Sequence, residues 1–240
     1  MEHRTGKGYT MDVQILQLID GAKAARGITV IIDVFRAFSV EAYLFAQGVD
    51  KIIPVGDCTL AYRLKDENPA FLLAGERHGR ILPGFDMGNS PSQNAGVDAK
   101  GKTVVHTTSA GTQGIANAIF ADEILGAGLV NARATAEYIR RSGAKEVSLV
   151  CMGLEALAPT EEDTLCANYI KSLLEGRSMD IMAEVEGLKY TSGSKFFDPM
   201  QNDVFPRDDF AMCTDVDRFD FVLQLVRPES GIPYMTRRSV

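Results

Sequence analysis

Tryptophan is absent from this sequence of 240 residues, and cysteine and histidine are scarce, with four and three residues. Cys58, Cys151, Cys166 and Cys213 fall in no CxxC spacing. The sequence therefore predicts reduced thiols rather than a disulfide framework or a zinc site. His106 lies inside an apolar strand-like run, which favours a buried core histidine with satisfied hydrogen bonds.

Basic runs and long apolar runs are missing as well. A net charge of -7 without clustered Lys and Arg argues against a nucleic-acid or anionic-membrane partner. No stretch approaches the roughly 18 consecutive apolar residues of a membrane span, and the first ten residues lack the apolar core of a signal peptide. We therefore expect a cytoplasmic protein, in which any anionic ligand is met by a local site.

Short apolar runs alternate with helical patterns along the chain. The order β-α-β-α-β is predicted for residues 28–76 and again for residues 102–153, which suggests an internal repeat, although a plain series of βα units would look the same. Near the end of the chain, "TSGSKFFDPMQNDVFPRDD" has the Gly, Pro, Ser and Asp content of a loop, and "DFVLQLVR" is predicted to be a closing strand. We expect one α/β domain over residues 1–240. Its predicted architecture is three-layer α/β/α with a largely parallel or mixed central sheet and two similar halves.

Four polar loops, at residues 33–39, 76–90, 107–112 and 153–163, each follow a predicted strand. In parallel sheets the loops at the carboxyl ends of strands carry ligands, so these loops are expected to converge.

The first loop offers Asp33 at a strand end, Arg36 in the turn, and Ser39 in position to cap the next helix. Such an Asp can bind a divalent cation, and an Arg beside a helix N-terminus can hold an anion. A plain helix cap and a surface salt bridge would explain the same residues.

The third loop places hydroxyl side chains around Gly111 before a helix: Thr107, Thr108, Ser109 and Thr112. Hydroxyls and free backbone N–H groups suit phosphate or sulfonate oxygens, although the missing lysine excludes a Walker loop. A capped βα turn is the structural alternative, and it needs one hydroxyl rather than four.

The second loop supplies Glu76 and Asp86 as oxygen ligands for Mg²⁺, and Arg77 as a planar fork for an anion. A surface pair between Glu76 and Arg77 would be the structural alternative. In the fourth loop, acidic residues 161–163 open a helix predicted over about residues 161–175, with Thr160 and Asp163 in capping-box spacing. Favourable interaction with the helix dipole explains this cluster in part, and we expect one member to serve a site.

Several familiar chemistries fail on spacing. A haloacid-dehalogenase phosphatase needs a second Asp where Phe35 stands, and the third glycine of a dinucleotide fingerprint is replaced by Asn131. A cysteine phosphatase needs an Arg six residues after its Cys, where this chain has Leu64, Leu157, Ser172 and Phe219.

Four segments, "DVFRAFSVEA", "GERHGRILPGFDMGNSP", "HTTSAGT" and "CMGLEALAPTEED", together resemble the signature segments of the 2-phosphosulfolactate phosphatases, the ComB family of coenzyme M biosynthesis. The resemblance runs from about Asp33 to Asp163, and "GFDMGNSP" is its most specific piece. It implies an α/β/α fold and Mg²⁺-dependent removal of phosphate from a sulfonated 2-hydroxy acid. The implied partner is a small anion carrying phosphate plus sulfonate or carboxylate, and a homodimer is left open.

The matching positions give candidate site residues in three groups. The catalytic candidates are Asp33, Arg36, Ser39 and Arg77. The substrate-binding candidates are Asn89, Ser90, Thr107, Thr108, Gly111 and Thr112. Glu76, Asp86 and Asp163 are the candidate metal ligands, with Asp33 as a further one. The nucleophile is either a metal-activated water with a carboxylate base or Asp33 itself.

The chain departs from the family pattern in four places. Val40 replaces a usual Thr, Ala110 replaces a usual Asn, "CMGLEALAP" lacks a later glycine, and Asn168 replaces another glycine. Loss of the Asn at Ala110 would change which anion fits if that residue reads the substrate. The alternatives are therefore a phosphatase of altered substrate specificity and a non-catalytic homologue that binds small anions.

Overall fold

The apolar runs rich in valine and isoleucine form a ten-stranded sheet in the computed structural model, which describes residues 11–240. The strands are β1 (Asp12–Gln17), β2 (Ile28–Ile32), β3 (Lys51–Pro54), β4 (Leu72–Arg77), β5 (Arg80–Ile81), β6 (Thr103–Thr107), β7 (Glu123–Ala127), β8 (Glu146–Cys151), β9 (Phe221–Val226) and β10 (Tyr234–Ser239). The helices are α1 (Leu18–Ala24), α2 (Ala37–Ala46), α3 (Cys58–Glu67), α4 (Pro91–Asn94), α5 (Gly111–Asn117), α6 (Ala132–Ser142), α7 (Glu161–Leu174), α8 (Ile181–Gly187) and α9 (Arg207–Cys213).

Helices cover both faces of the sheet. The side chains of β2 point alternately to the two faces of the sheet. Val30 and Ile32 pack in one core cluster with residues of α6 and α7. Ile31 packs in another cluster, with residues of α1, α2 and α5. The α/β prediction with a mixed, largely parallel sheet is confirmed.

The strand order is β1-β8-β2-β7-β9-β10-β3-β6-β4-β5. Two parallel groups, β1-β8-β2-β7 and β3-β6-β4, are joined by the antiparallel hairpin of β9 and β10. The units β2-α2-β3-α3-β4 and β6-α5-β7-α6-β8 interleave, since β2 lies between β8 and β7, and β6 lies between β4 and β3. The first strand of each unit thus pairs with the second and third strands of the other; descent from an internal repeat stays a prediction.

Local structure differs from expectation at two helix starts. Helix α2 begins at Ala37, so Ser39 lies within its first turn and its hydroxyl donates to the Val34 carbonyl at 2.8 Å instead of capping the helix. Helix α7 begins after Thr160 as predicted, but the Thr160 side chain makes no capping hydrogen bond. The expected cap is wrong because Ser39 lies inside the helix, and the capping box is wrong because the Asp163 carboxylate accepts from the Val34 and Gly153 amides instead.

The C-terminal third holds more structure than its Gly, Pro and Ser content predicted. Short 3₁₀ turns at Leu188–Tyr190, Ser194–Phe197 and Pro199–Gln201 lead into α9, and the predicted closing strand is β9. Throughout residues 11–240, each helix is too short or too polar to cross a membrane.

Candidate active site

The loops after β2, β4 and β6 meet although their strands lie far apart in the ladder. Five strand spacings separate β2 from β6, roughly 24 Å in a flat sheet. Yet Asp33 accepts a hydrogen bond from the Gly111 amide at 2.8 Å, and Glu76 accepts one from the Ser109 amide at 2.7 Å. The two parallel groups also run in opposite directions, because three successive antiparallel pairings separate them. The sheet must therefore twist and bend across the hairpin for the carboxyl ends of the two groups to face each other.

Asp163 ties the loop after β8 to the same place. One of its carboxylate oxygens accepts from the Val34 amide and the other from the Gly153 amide, both at 2.8 Å. Acidic residues in the first turn of α7 therefore do more than complement the helix dipole. The predicted convergence of the four loops is confirmed.

A cavity of about 130 Å³ lies where the loops meet. It combines acidic, basic and aromatic side chains with a few small residues. Its lining consists of Asp33, Phe35, Arg36, Glu76, His78, Gly79, Asn89, Ser109, Ala110, Gly153, Leu154, Glu155, Glu162, Lys195 and Phe205.

Two of the cavity's buried carboxylates are held by backbone amides. Asp33 accepts from the amides of Ala37 at 3.0 Å and Gly111 at 2.8 Å. A Cβ at Gly111 would lie 3.0 Å from the Asp33 carboxylate, so a residue without a side chain suits this approach. Glu76 accepts from the amides of Ser109 and Gly79, each at 2.7 Å.

Burial and the crowding of negative charge raise the pKa values of two carboxyl groups at the site, those of Asp33 and Asp163. Burial raises the pKa of Asp33 to about 6, and the nearby charges of Glu76 and Glu162 add to the rise against the amide hydrogen bonds. Burial also raises the pKa of Asp163 well above its usual range, with the charges of Glu162 and Asp33 acting in the same direction. The cluster is electrostatically unfavourable without a cation.

Three buried oxygens around the cavity lack a hydrogen-bond partner in the part of the chain that the structure describes. They belong to the carboxylate of Glu162, the amide of Asn89 and the hydroxyl of Ser109. Buried polar atoms are normally paired, so unpaired oxygens gathered at one cavity indicate a bound ligand or ion. All three are of the kind that Mg²⁺ prefers.

Arg36 is the first of two cationic side chains in the cavity wall. Its guanidinium donates to the Asp209 carboxylate at 2.7 Å, to the Val204 carbonyl at 2.9 Å and to the Gly79 carbonyl at 3.3 Å. Both charged side chains of this ion pair are nearly fully buried. Asp209 also accepts from the hydroxyl of Ser90, and so fixes Arg36 against the loop that carries the "GNSP" stretch.

Lys195 is the second cation. Its ammonium lies over the rings of Phe35, Phe196 and Phe205, 5.2 to 5.7 Å from their centroids. Burial lowers its pKa, while the charge of Glu162 acts in the opposite direction. No residue in the described range 11–240 gives it a hydrogen bond or an ion-pair partner.

The cavity mouth is closed on one side by His78 and Glu155, whose side chains meet at 2.7 Å. Both residues adopt left-handed backbone conformations, with φ of 53° each. Such conformations are unfavourable for residues other than glycine and are common at functional sites.

Of the residues predicted from sequence, Asp33, Arg36, Glu76 and Asn89 line this cavity. Ser90 lines an adjoining cavity of about 240 Å³, which shares Arg36 and Asn89 with the first.

Eight other candidates lie outside the lining, namely Ser39, Arg77, Asp86, Thr107, Thr108, Gly111, Thr112 and Asp163. Ser39 lies in the first turn of α2 and is fully buried. Arg77 follows Glu76 on β4 and so points to the opposite face, where it donates to the Thr107 hydroxyl at 3.0 Å. Thr108 and Thr112 exchange hydrogen bonds with each other's backbone amides at the start of α5. Thr108 and Thr112 therefore stabilise the turn, whereas Thr107 holds Arg77.

The expected metal set of Glu76, Asp86 and Asp163 is not assembled. Asp86 accepts from the Leu73 amide at 2.8 Å, and Leu73 precedes Glu76 by three residues, roughly 10 Å along β4. Asp163 is occupied by backbone amides and does not line the cavity. Across residues 11–240, no group of three or more His, Cys, Asp or Glu side chains is placed to hold a metal ion.

Sequence reasoning missed Glu162, Lys195 and Asp209 as site residues. Glu162 stood in the acidic cluster from which Asp163 was chosen, and nothing in the spacing distinguished them. Lys195 and Asp209 lie in the C-terminal third, where the turn-rich sequence predicted loop. His106 is buried as expected, with one ring nitrogen 2.9 Å from Glu41, but its Nε2 has no partner within the described residues.

A family model described as 2-phosphosulpholactate phosphatase matches residues 13–228. The chain belongs to the 2-phosphosulfolactate phosphatase family. A "Probable 2-phosphosulfolactate phosphatase" of Bacillus subtilis (strain 168) is 33% identical over 230 residues, which cover 95% of this chain and 99% of that protein. A protein of the same name from Caldanaerobacter subterraneus subsp. tengcongensis is 33% identical over 210 residues, 82% of this chain and 86% of its own length. The family resemblance of the motifs is confirmed.

Two departures from the family motifs have different surroundings. Val40 lies within α2 and is fully buried in the apolar core, whereas Ala110 is part of the cavity lining. Ala110 is therefore the departure that a ligand in the cavity would contact.

Proposed function

We propose that this member of the family is a Mg²⁺-dependent phosphatase that hydrolyses 2-phosphosulfolactate to sulfolactate and phosphate. The observation that carries the proposal is one small cavity where buried carboxylates, unpaired buried oxygens and two cations face each other. The names of the relatives support the choice of substrate.

Glu162 and Asn89 would hold Mg²⁺, together with Asp33 or Glu76. Their unpaired oxygens fit a hard cation, and Mg²⁺ in phosphoryl-transfer sites is usually bound by one or two carboxylates plus substrate phosphate and water. A three-residue protein cage is therefore not required. The bound ion would neutralise the acidic cluster and the charge of the phosphate.

Asp33 would act as the general base that takes a proton from the attacking water. Its pKa of about 6 places it close to the range that suits a base at neutral pH. The two amide hydrogen bonds fix the carboxylate and leave each oxygen a free lone pair. This restraint favours proton abstraction over formation of a covalent phospho-aspartate, the other route that the sequence left open.

Arg36 would stabilise the charge that develops on the phosphoryl oxygens as the ester bond breaks. Its guanidinium lines the cavity, and Asp209 holds it in place before the substrate arrives. Preorganised donors of this kind contribute strongly to catalysis because they need no reorganisation during the reaction.

A phosphatase of altered substrate specificity is the second candidate. Ala110 lines the cavity where the family motif usually carries Asn, which leaves room and removes a polar contact. A substrate without a group to meet that Asn, such as 2-phospholactate, would then be hydrolysed more efficiently.

Phosphate release from a panel of 2-phosphosulfolactate, 2-phospholactate and phosphoglycerate tests the proposal, with Mg²⁺ or with EDTA. We expect the first ester to be hydrolysed fastest and EDTA to abolish release. Preference for 2-phospholactate would favour the second candidate. Absence of hydrolysis, together with thermal stabilisation by sulfolactate, would indicate a non-catalytic anion-binding protein instead.

Rapid-quench experiments separate the two nucleophiles. We expect no phosphoenzyme during turnover, and an adduct trapped on Asp33 would contradict its role as a base. Cytoplasmic location and a homodimer stay predictions from the sequence and the resemblance.

A further inference from the structure

The two cations of the cavity differ in how far their charges are already used. Arg36 is paired with Asp209 at 2.7 Å and donates to two carbonyls as well. Lys195 makes no hydrogen bond or ion pair within the described residues, and its surroundings are aromatic. Lys195 is partly exposed and lines the cavity, so its ammonium is available to an anion that enters there.

We propose that Lys195 binds the sulfonate of the substrate and thereby selects sulfonated phosphate esters over those that lack the group. The inference rests on the proposed function and adds the contact that would read the substrate's second acidic end.

The surroundings of Lys195 suit a sulfonate better than a phosphate. A sulfonate is a weakly hydrated monoanion, and so it tolerates the wall formed by Phe35 and Phe205. An ammonium with three free protons matches three sulfonate oxygens. The phosphate dianion instead needs strong polar donors and a hard cation, which Arg36 and an ion held by Glu162 would supply.

Charge balance points in the same direction. Arg36 brings no uncompensated charge because Asp209 neutralises it within the protein. Lys195 has no ion-pair partner within the described residues, and the acidic residues near it, Glu162 and Asp33, would be neutralised by the bound Mg²⁺ of the proposed function. Its positive charge would then remain for a ligand anion. A charge-assisted hydrogen bond between ammonium and sulfonate is about twice as strong as a neutral one.

The test compares two esters that differ at one group, 2-phosphosulfolactate and 2-phospholactate, which has a methyl group where the first has a CH₂–sulfonate. We expect Lys195→Met to lower kcat/KM for 2-phosphosulfolactate by about 10- to 100-fold and for 2-phospholactate by less than about 3-fold. The loss is expected mainly in KM, since the sulfonate is bound equally before and during phosphoryl transfer. An equal loss on both esters, or no loss on either, would overturn the proposal.

Lys195→Arg, which keeps the charge, should restore part of the discrimination. Lys189→Met is the matched control, because Lys189 pairs with Glu186 on the surface and lies outside the cavity. Thermal unfolding should show that Lys195→Met does not lower Tm, since it removes an unpaired charge from an aromatic environment. If that variant nevertheless fails to fold, Lys195→Gln takes its place in the same comparison.

Calorimetric binding of sulfolactate and lactate separates this proposal from the proposed function. We expect the wild type to bind sulfolactate more tightly than lactate. In Lys195→Met the ratio of the two dissociation constants should shrink by at least about 10-fold, even if no ester is hydrolysed. If the wild type hydrolyses the esters but Lys195→Met prefers sulfolactate over lactate as strongly as the wild type does, the phosphatase assignment stands and the role of Lys195 is rejected. Equal binding of both acids by the wild type would also reject it.

Discussion

Glu162 and Asp163 are consecutive residues in the first turn of α7, yet their carboxylates are in opposite situations. Asp163 has an amide hydrogen bond on each oxygen and joins the loops after β2 and β8. Glu162 faces the cavity, and its Oε2 has no partner within the described part of the chain. Two acidic residues that look equivalent in sequence thus differ because one stabilises the loops and the other is left for a ligand.

The same division extends through the whole site. In one group of residues, the framework set, the polar side chains form hydrogen bonds with other parts of the protein. In the other group, the cavity set, the side chains line the cavity and have polar atoms without a partner among the described residues. The framework set is Arg77, Asp86, Thr107, Thr108, Thr112, Asp163 and Asp209. The cavity set is Asn89, Ser109, Glu162 and Lys195. Changes in the framework set should act on stability, and changes in the cavity set should act on ligand binding and activity.

Glu162→Gln and Asp163→Asn test this division most strongly. We expect Glu162→Gln to lower kcat/KM about 100- to 1,000-fold, comparable with the loss of a transition-state contact. Its Tm should stay equal or rise, because one charge leaves a crowded acidic cluster. Phosphate release and thermal unfolding measure the two effects.

Asp163→Asn should show the reverse balance. An Asn presents one NH₂ group to an amide donor, so one buried hydrogen bond is lost and stability falls by about 1 to 3 kcal/mol. The opposite result would contradict the division of roles: Asp163→Asn would fold normally but lose all activity, and Glu162→Gln would be unstable.

The pH dependence of activity should report Asp33. Because the base must be deprotonated, kcat/KM is expected to fall as the pH drops below the pKa of Asp33, which is about 6 without metal and is lowered by bound Mg²⁺. In the metal-free protein the folded-state pKa lies above the ordinary value of 3.8, so the folded protein binds more protons than the unfolded chain between these values. This group's contribution to stability therefore decreases as the pH rises from about 4 to 6.

A pH profile of kcat/KM between 4 and 8, with Tm measured in the same buffers, checks both signs. An activity that rises as the pH falls from 7 to 4.5 would contradict the assignment of Asp33 as the base.

Asp209→Asn removes the ionic partner of Arg36. Breaking one side of a buried ion pair typically costs about 3 to 5 kcal/mol, and we expect activity to fall about tenfold in the protein that remains folded. Denaturant unfolding and phosphate release give the two values. Asp203→Asn is the matched control, since its pair with Arg80 is exposed and should contribute less than about 1 kcal/mol.

Asp86→Asn should have the smallest effect. Asp86 accepts from the Leu73 amide and lies 3.4 Å from Lys65, both away from the cavity. We expect kcat/KM within about twofold of the wild type and a stability loss of about 1 kcal/mol. A large loss of Mg²⁺-dependent activity with normal stability would return Asp86 to the metal site.

The sequence predicted the parts of the structure that repeat locally. Strand runs, the bounds of α7 and the convergence of loops followed from apolar periodicity and the rule that ligands bind at the carboxyl ends of strands. Asp33, Arg36, Glu76 and Asn89 were found in this way because each lies in a loop that the rule selects.

The remaining site residues depended on side-chain direction and on long-range contacts. Glu76 and Arg77 are neighbours on β4, so their side chains point to opposite faces and only Glu76 faces the cavity. The sequence predicts where the strand lies but not which of its faces points to the cavity. The aromatic surroundings of Lys195 come from Phe35, near the start of α2, and from Phe196 and Phe205, far along the chain. Contacts between residues so far apart in the chain leave no local pattern in the sequence from which they could be predicted.

The most direct test of the account is a crystal structure of the protein with Mn²⁺ and orthovanadate, using the anomalous signal of the metal. We expect the Mn²⁺ peak in the cavity of about 130 Å³, bound by Glu162 and within about 2.2 Å of its Oε2, with the vanadate beside Arg36. A metal peak at Asp86, or vanadate in the cavity of about 670 Å³ lined by Thr160 and Arg177, would contradict it.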